Sequence, residues 1–307
     1  MRRIPLVYHE GYDLNFGDHV FPSHKYRLVR ARLIREGLAQ VEDFIEPEAA
    51  SEEDLLLVHT PEWVRKLSTG ELSYHEILKL EAPYSRATIR AYWLAAGGTI
   101  LTARLARTSG VALNIGGGFH HAFPGHGEGF CAINDIAVAI RRLQRDRLIE
   151  RAAVIDCDVH HGNGTAAIFA DDPSVFTLSI HQRNNYPAMK PPSTVDIHLE
   201  DGATDEEYLE RLRGPLEAGL EKHKPQLLVY VAGADPYLDD QLGGLCLSME
   251  GLMARDRLVF EKALEHRVPV ATVLAGGYAA QIPHTITIHT NTVRAAMAAL
   301  DEVGWAP

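Results

Sequence analysis

Six short apolar runs constrain this chain more than any other feature. Five of them are followed at once by glycines and ionisable residues. The runs are IPLVY (4–8), VALNI (111–115), AAVID (152–156), VFTLSI (175–180), LLVYV (227–231) and PVATVL (269–274). Nearly unbroken apolar character suits strands buried on both faces, as in a parallel sheet covered by helices. Between the runs the pattern turns helical. Ile133, Ile136, Ala137, Ile140 and Leu143 recur at three-and-four spacing. Residues 85–108, 205–221 and 249–266 also read as helices, with Ser85 and Thr204 as caps. The expectation is a doubly wound α/β sheet. Nothing resembling a linker interrupts the 307 residues, so one domain, 1–307, is expected.

The strand exits carry the chemistry. After VALNI comes GGGFHHAFPGHGEGFC, and after AAVI comes DCDVHHGNGT. HQRNNYPAMKPP, AGADPYLDDQLGG and AGGYAA follow the next three runs. Open parallel sheets bind ligands at the carboxyl ends of their strands. These polar groups therefore converge on one edge.

Asp158 and His160 stand two residues apart, so in an extended segment both side chains face the same way. Asp235 leaves another strand and offers a third ligand. Two carboxylates and an imidazole with open positions suit a catalytic ion, whether Zn²⁺, Fe²⁺ or Mn²⁺. A lone Asp-x-His is more often a satisfied loop. The third carboxylate and the polar exits reverse that judgement here. Cys157 alternates away from the pair and reads as a small buried hydrophobe. His120 and His121 follow three glycines and suit acid–base work, with Asp156 and Asn163 as orienting partners. The glycines lack dinucleotide spacing and precede bulky Phe119, which disfavours a phosphate cradle. Tyr278, on the last glycine turn, can donate to a developing oxyanion.

Composition narrows the class. The formal net charge of −11 disfavours direct nucleic-acid binding, although it can steer cationic substrates. Hydrophobic residues make up 46% and charged residues 23%, ordinary for a globular chain whose core needs no disulfides. Cys131, Cys157 and Cys246 form an odd, scattered set, which points to a reducing, cytoplasmic setting. The start, MRRIPLVYHEGYD, has only a short apolar run broken by Pro5 and does not read as a signal peptide. No apolar segment approaches the roughly 20 residues of a membrane span.

Taken together, GGGFHHA, GEGFCAIND, DCDVHHGNGT, AGADPYLDDQLGGL and LAGGY resemble the histone deacetylase family, from about Leu6 to the last helix. GGTILTARLA and GADPYLDDQLGGLCLS are similar to its class IV-like branch, which has bacterial members. The resemblance implies the arginase/deacetylase fold, a single-domain three-layer sandwich. Its mostly parallel sheet of about eight strands has helices on both faces. It also implies hydrolysis of acyl-lysine-type amides at one Zn²⁺ held by Asp158, His160 and Asp235. By the same matching, His121 is the base and then the acid, His120 its electrostatic partner held by Asp156, and Tyr278 the carbonyl donor. Asn163, where many relatives carry aspartate, holds His121. Gly129, Phe130, Gly276 and Gly277 line the substrate channel. Asp156, Asp158, His160 and Ser179 match part of a structural K⁺ site.

The resemblance leaves the substrate open: acyl-lysine peptide or protein, or a small acylated amine, with acetyl or long fatty chains. Acetylpolyamine hydrolysis is disfavoured because no long insertion lies between Gly11 and His24. A binuclear manganese ureohydrolase is disfavoured by Asn163, where a bridging aspartate would be needed. A non-catalytic acyl-lysine or zinc-binding module is disfavoured because both histidines and Tyr278 are present. Residues 182–196 read as an irregular rim loop, with Tyr186 and Met189 as candidate substrate contacts.

Overall fold

A computed structural model describes residues 3–305. Its eight strands are β1 (Leu6–Val7), β2 (Phe44–Ile45), β3 (Val111–Asn114), β4 (Ala152–Asp156), β5 (Val175–Gln182), β6 (Val195–Leu199), β7 (Leu228–Val231) and β8 (Val270–Val273). They form one sheet in the order β2-β1-β3-β8-β7-β4-β5-β6, with every neighbour parallel. β3, β4, β7 and β8 are buried at every residue, as their unbroken apolar runs require.

All six expected strands are present. β2 and β6 are additional. β6 was hidden because VDIHL alternates polar and apolar residues on a half-buried edge. Its start also shortens the irregular rim to residues 183–194. The expected helices form at Arg86–Ser109, Asp135–Arg145, Asp205–His223 and Met249–Glu265. Ser85 caps the first, accepting from Thr88 N, and Gly110 ends it at φ +84°. Thr204 occupies the cap position of the third helix, but its side chain makes no cap bond. Three acidic residues in the first turn favour that helix's positive end instead. Among the described residues, no helix is long and apolar enough to cross a membrane.

The strand order sets up the site. β3, β8, β7 and β4 are central neighbours, and their last residues share one row across the sheet. Asn114 pairs with Val273, Val273 with Val231, Val231 with Asp156, and Asp156 with Ser179 of β5. The loops beginning GGG, LAGG, AGAD and CDVHH therefore leave side by side.

Candidate metal and catalytic site

Asp158, His160 and Asp235 are all buried, and one ligand atom of each lies within 4.8 Å of the others. His160 Nδ1 is 3.0 Å from Asp158 Oδ1 and 3.4 Å from Asp235 Oδ2. Backbone donors aim the carboxylates. Val159 N donates to Asp235 Oδ1 at 2.9 Å, and Gly276 N donates to Asp158 Oδ2 at 2.9 Å. Asp235 Oδ2 has no hydrogen-bond partner although it is buried. A Cβ at Gly276 would collide with Asp235 Oδ2 and lie 2.6 Å from Asp158 Oδ2. Glycine there keeps the space between the carboxylates clear.

These residues fit a divalent ion. Two buried carboxylates need positive charge nearby, and one oxygen is left unbonded for it. Burial and Asp158 together raise Asp235 to about 7. Burial lowers His160, but Asp158 and Asp235 outweigh it and lift the imidazole to about 10.

The paired histidines stand beside this set with opposite character. His120 Nδ1 donates to Asp156 Oδ2 at 2.7 Å. Burial opposes charge on His120, but Asp156 and Asp158 overcome it and raise it to about 9. His121 Nδ1 lies 2.7 Å from Asn163 Oδ1. Burial, then the charges of His120 and His160, push His121 well below its ordinary value. His121 is therefore neutral. With Nδ1–H donated to Asn163, its Nε2 carries the lone pair, 3.1 Å from His120 Nε2. Asn163 turns to His121 and contributes nothing to the Asp158 cluster.

A cavity of about 170 Å³ opens onto these groups. Gly129, Phe130, Gly276 and Tyr278 line it, together with Phe21 and Tyr186. Gly129 (φ +47°) leaves room for the rings of His121 and Tyr186, which a Cβ would approach to 2.8 and 2.9 Å. Gly277 is not among the residues lining the cavity, and a Cβ there would meet Thr285 and Ala234. Tyr186 packs edge-on against His121 at 4.9 Å, whereas Met189 is 85% exposed and outside the cavity. Burial, then Asp158 and Asp235, raise Tyr278 well above its ordinary value, so it stays a phenol able to donate.

Three neighbours escaped the sequence reading. Asp135 accepts from Gly118 N and Phe119 N, so a carboxylate already occupies the glycine turn where a phosphate would sit. Lys25 is fully buried, donates to Ala275 O at 2.6 Å and lies 5.8 Å from the Tyr278 ring. Burial lowers it to about 8 against the pull of Asp235, Asp158 and Asp240. A lysine opening an amphipathic helix carries no sequence mark of burial. Glu128, inside GEGFC, bonds Asn163 at 2.8 Å. Cys157 is buried, and burial raises its thiol to about 12, in keeping with a packing role.

A second histidine-rich group, His161, His181 and Asp196, was also unforeseen. His161 Nε2 lies 3.2 Å from Asp196 Oδ1, and His181 Nε2 lies 2.8 Å from His198 Nδ1. Ser179 Oγ bonds His181 Nδ1 at 2.9 Å, beside Asp156 in the sheet register.

Residues 19–293 match the histone deacetylase domain family. The chain is 42% identical over 293 residues to an uncharacterised Picosynechococcus protein, covering 95% of this chain and 98% of that one. It is 33% identical to histone deacetylase 2 of Arabidopsis thaliana, covering 91% and 75%. It is 32% identical to a probable deacetylase of Archaeoglobus fulgidus, covering 91% and 83%. The crystal structure of the HDA15 HD domain has the same fold, with a TM-score of 0.83 at 23% identity, covering 99% of this chain and 93% of that one.

Proposed function

Because the chain belongs to the histone deacetylase family and is by that membership a deacetylase, we propose that it is a zinc-dependent amidohydrolase. Its substrates in this reading are acyl-lysine or related acylated amines. The observation that carries it is His121, its Nδ1 2.7 Å from Asn163 Oδ1, beside a buried ligand set whose Asp235 Oδ2 lacks a partner.

Asp158, His160 and Asp235 would hold the ion. Bound there, zinc supplies a Lewis acid for the amide carbonyl and brings the pKa of a water toward about 7. His121 Nε2 accepts the proton of the attacking water while Asn163 fixes the ring through Nδ1. His120, kept cationic by Asp156, offsets negative charge developing beside it. The Tyr278 hydroxyl donates to the oxyanion. His121 then returns its proton to the departing amine, so one imidazole serves both halves of the hydrolysis. Phe21, Phe130 and Tyr186 give an apolar passage for an alkyl stem.

The same reading includes a cytoplasmic setting, supported by three unpaired cysteines. It includes K⁺ at Asp156, Asp158, His160 and Ser179, on the resemblance alone. The test is turnover of lysine peptides carrying acetyl, octanoyl and myristoyl groups by zinc-loaded protein, with Tyr278→Phe alongside. Turnover that collapses in the variant supports the assignment. A steady fall in kcat/KM from acetyl to myristoyl restricts it to short acyl groups. No turnover on any acylated amine would overturn it in favour of a binding module.

A further inference from the structure

An asparagine partner for His121 raises a problem that an aspartate would not. A carboxylate accepts through either oxygen, whereas an amide accepts at one end and donates at the other. If the Asn163 amide turned over, its NH₂ would face His121 Nδ1. The ring would then have to change tautomer, placing its proton on Nε2, where a base needs a lone pair.

Glu128 removes that freedom. Its Oε2 lies 2.8 Å from Asn163 Nδ2. A carboxylate only accepts, so it requires the NH₂ end and directs Oδ1 to His121 Nδ1 at 2.7 Å. Glu128 is itself held in place. Lys79 Nζ lies 2.5 Å and His126 Nε2 3.0 Å from its Oε1. Its backbone exchanges two hydrogen bonds with Cys131, at 3.1 and 2.8 Å. Those bonds close the turn that carries Gly129 and Phe130 into the cavity. Burial opposes charge on Glu128, but His126, Lys79 and Asn163 hold its carboxyl down to about 2.

We propose that Glu128 is a positioning residue for the reaction: through the Glu128–Asn163–His121 chain it sets the amide orientation and hence the tautomer of the base. It also places a negative charge one amide away from the imidazolium that His121 becomes. Glu128 touches neither substrate nor ion. It reaches His121 through Asn163, and the same Oε2 also accepts from the Tyr186 hydroxyl at 3.5 Å.

This rests on the amidohydrolase reading, and the experiment separates the two. Glu128→Gln and Glu128→Ala are expected to lower kcat by roughly 10-fold to 100-fold, the usual range for outer partners of a reactive imidazole. KM for an acetyl-lysine peptide should stay within about threefold, since the cavity wall is intact. Asn163→Asp supplies the discriminating arm. With Glu128 present it sets two carboxylates against each other and should lower kcat. Combined with Glu128→Gln, the new carboxylate accepts from both neighbours and should restore most of it. A substitution that damages only the fold shows no such reversal. Imidazole ¹⁵N NMR of His121 reads the tautomer directly. The Nδ1–H form of the wild type should be lost or mixed in Glu128→Ala and return in the double variant. Wild-type turnover with undiminished kcat and unchanged NMR in both Glu128 variants would overturn the proposal. Absence of wild-type turnover on every acylated amine would defeat the functional reading alone. The NMR comparison would still decide what Glu128 does.

Discussion

His160 and His161 are neighbours in the chain, yet each belongs to a different group of three potential metal ligands. His160 joins Asp158 and Asp235, and His161 joins His181 and Asp196. In both groups the ligand atoms lie within 4.8 Å of one another. Charge and access separate them. The first group has two fully buried carboxylates and faces the cavity. In the second, His181 is bonded at both ring nitrogens, and Asp196 is half-buried and accepts from Ser193 N as well as facing His161. Its loose end is His161 Nδ1, an imidazole nitrogen rather than a carboxylate oxygen. Burial, then His161 and His198, lower His181 to about 3, whereas His160 is raised to about 10. One group invites positive charge and the other rejects it. Ligand type and spacing do not distinguish a metal centre from a buried hydrogen-bond cluster. Unpaired carboxylate and an open approach do.

The largest effect that can break this contrast comes from the first group. Asp235→Ala and Asp158→Ala are each expected to weaken zinc binding by more than about 100-fold, beyond the usual cost of an outer partner, and to abolish turnover. Elemental analysis after dialysis against a weak chelator checks it. Zinc retained in these variants but lost from His181→Ala would exchange the two assignments. Next come His121→Ala and Tyr278→Phe, each expected to lower kcat by roughly 100-fold or more with zinc content unchanged. Near-normal turnover in both would remove them from the chemistry.

The contrast sharpens with pH. His160 and Asp235 both have raised pKa values, about 10 and about 7, so protons compete with a metal for them at neutral pH. Zinc affinity should therefore rise with pH, by about tenfold per unit for each proton displaced. The rise should lose one proton's slope above about 7 and flatten near 10. His181, already proton-free, adds nothing to the slope. Titration calorimetry in two buffers of different ionisation enthalpy counts the protons released at pH 7. A count of zero would mean that the ion binds elsewhere.

Much of the site is legible in the sequence. The strand exits could be read because polar residues are costly inside a parallel sheet, so their position at the ends of apolar runs has a reason. Asp158, His160, His120, His121 and Tyr278 were visible for that reason. What stayed hidden is where the same residue type serves two ends. His181 sits inside VFTLSIHQ, in a strand, and nothing in its spacing separates it from a ligand. Lys25 reads as an ordinary helix lysine until its burial is known. Glu128 lies among glycines, thirty-five residues from Asn163, and only the fold brings them together. Gly277 looks like its neighbour Gly276 in sequence, but a Cβ at Gly277 (φ +146°) would meet Thr285 and Ala234 rather than the two carboxylates. Thr204 has the right residue type for a cap, yet its side chain makes no cap bond.

The smallest expected effect bears most directly on what the second group is for. His181→Ala removes the bonds to Ser179 and His198 inside a buried part of the sheet. Leaving such partners unsatisfied costs about 1–3 kcal/mol, so thermal unfolding should shift downward by a few degrees. Turnover should stay within about twofold, as for most changes away from a site. The decisive quantity is the stabilisation that added zinc gives, because a ligand that binds only the folded state raises the unfolding midpoint. If the His161 group is a hydrogen-bonded brace for β5 and β6, that increment is the same in wild type and His181→Ala and is lost in Asp235→Ala. An increment that vanishes in both would make the two groups one coupled metal site, since a brace alone cannot change how much the ion stabilises the fold.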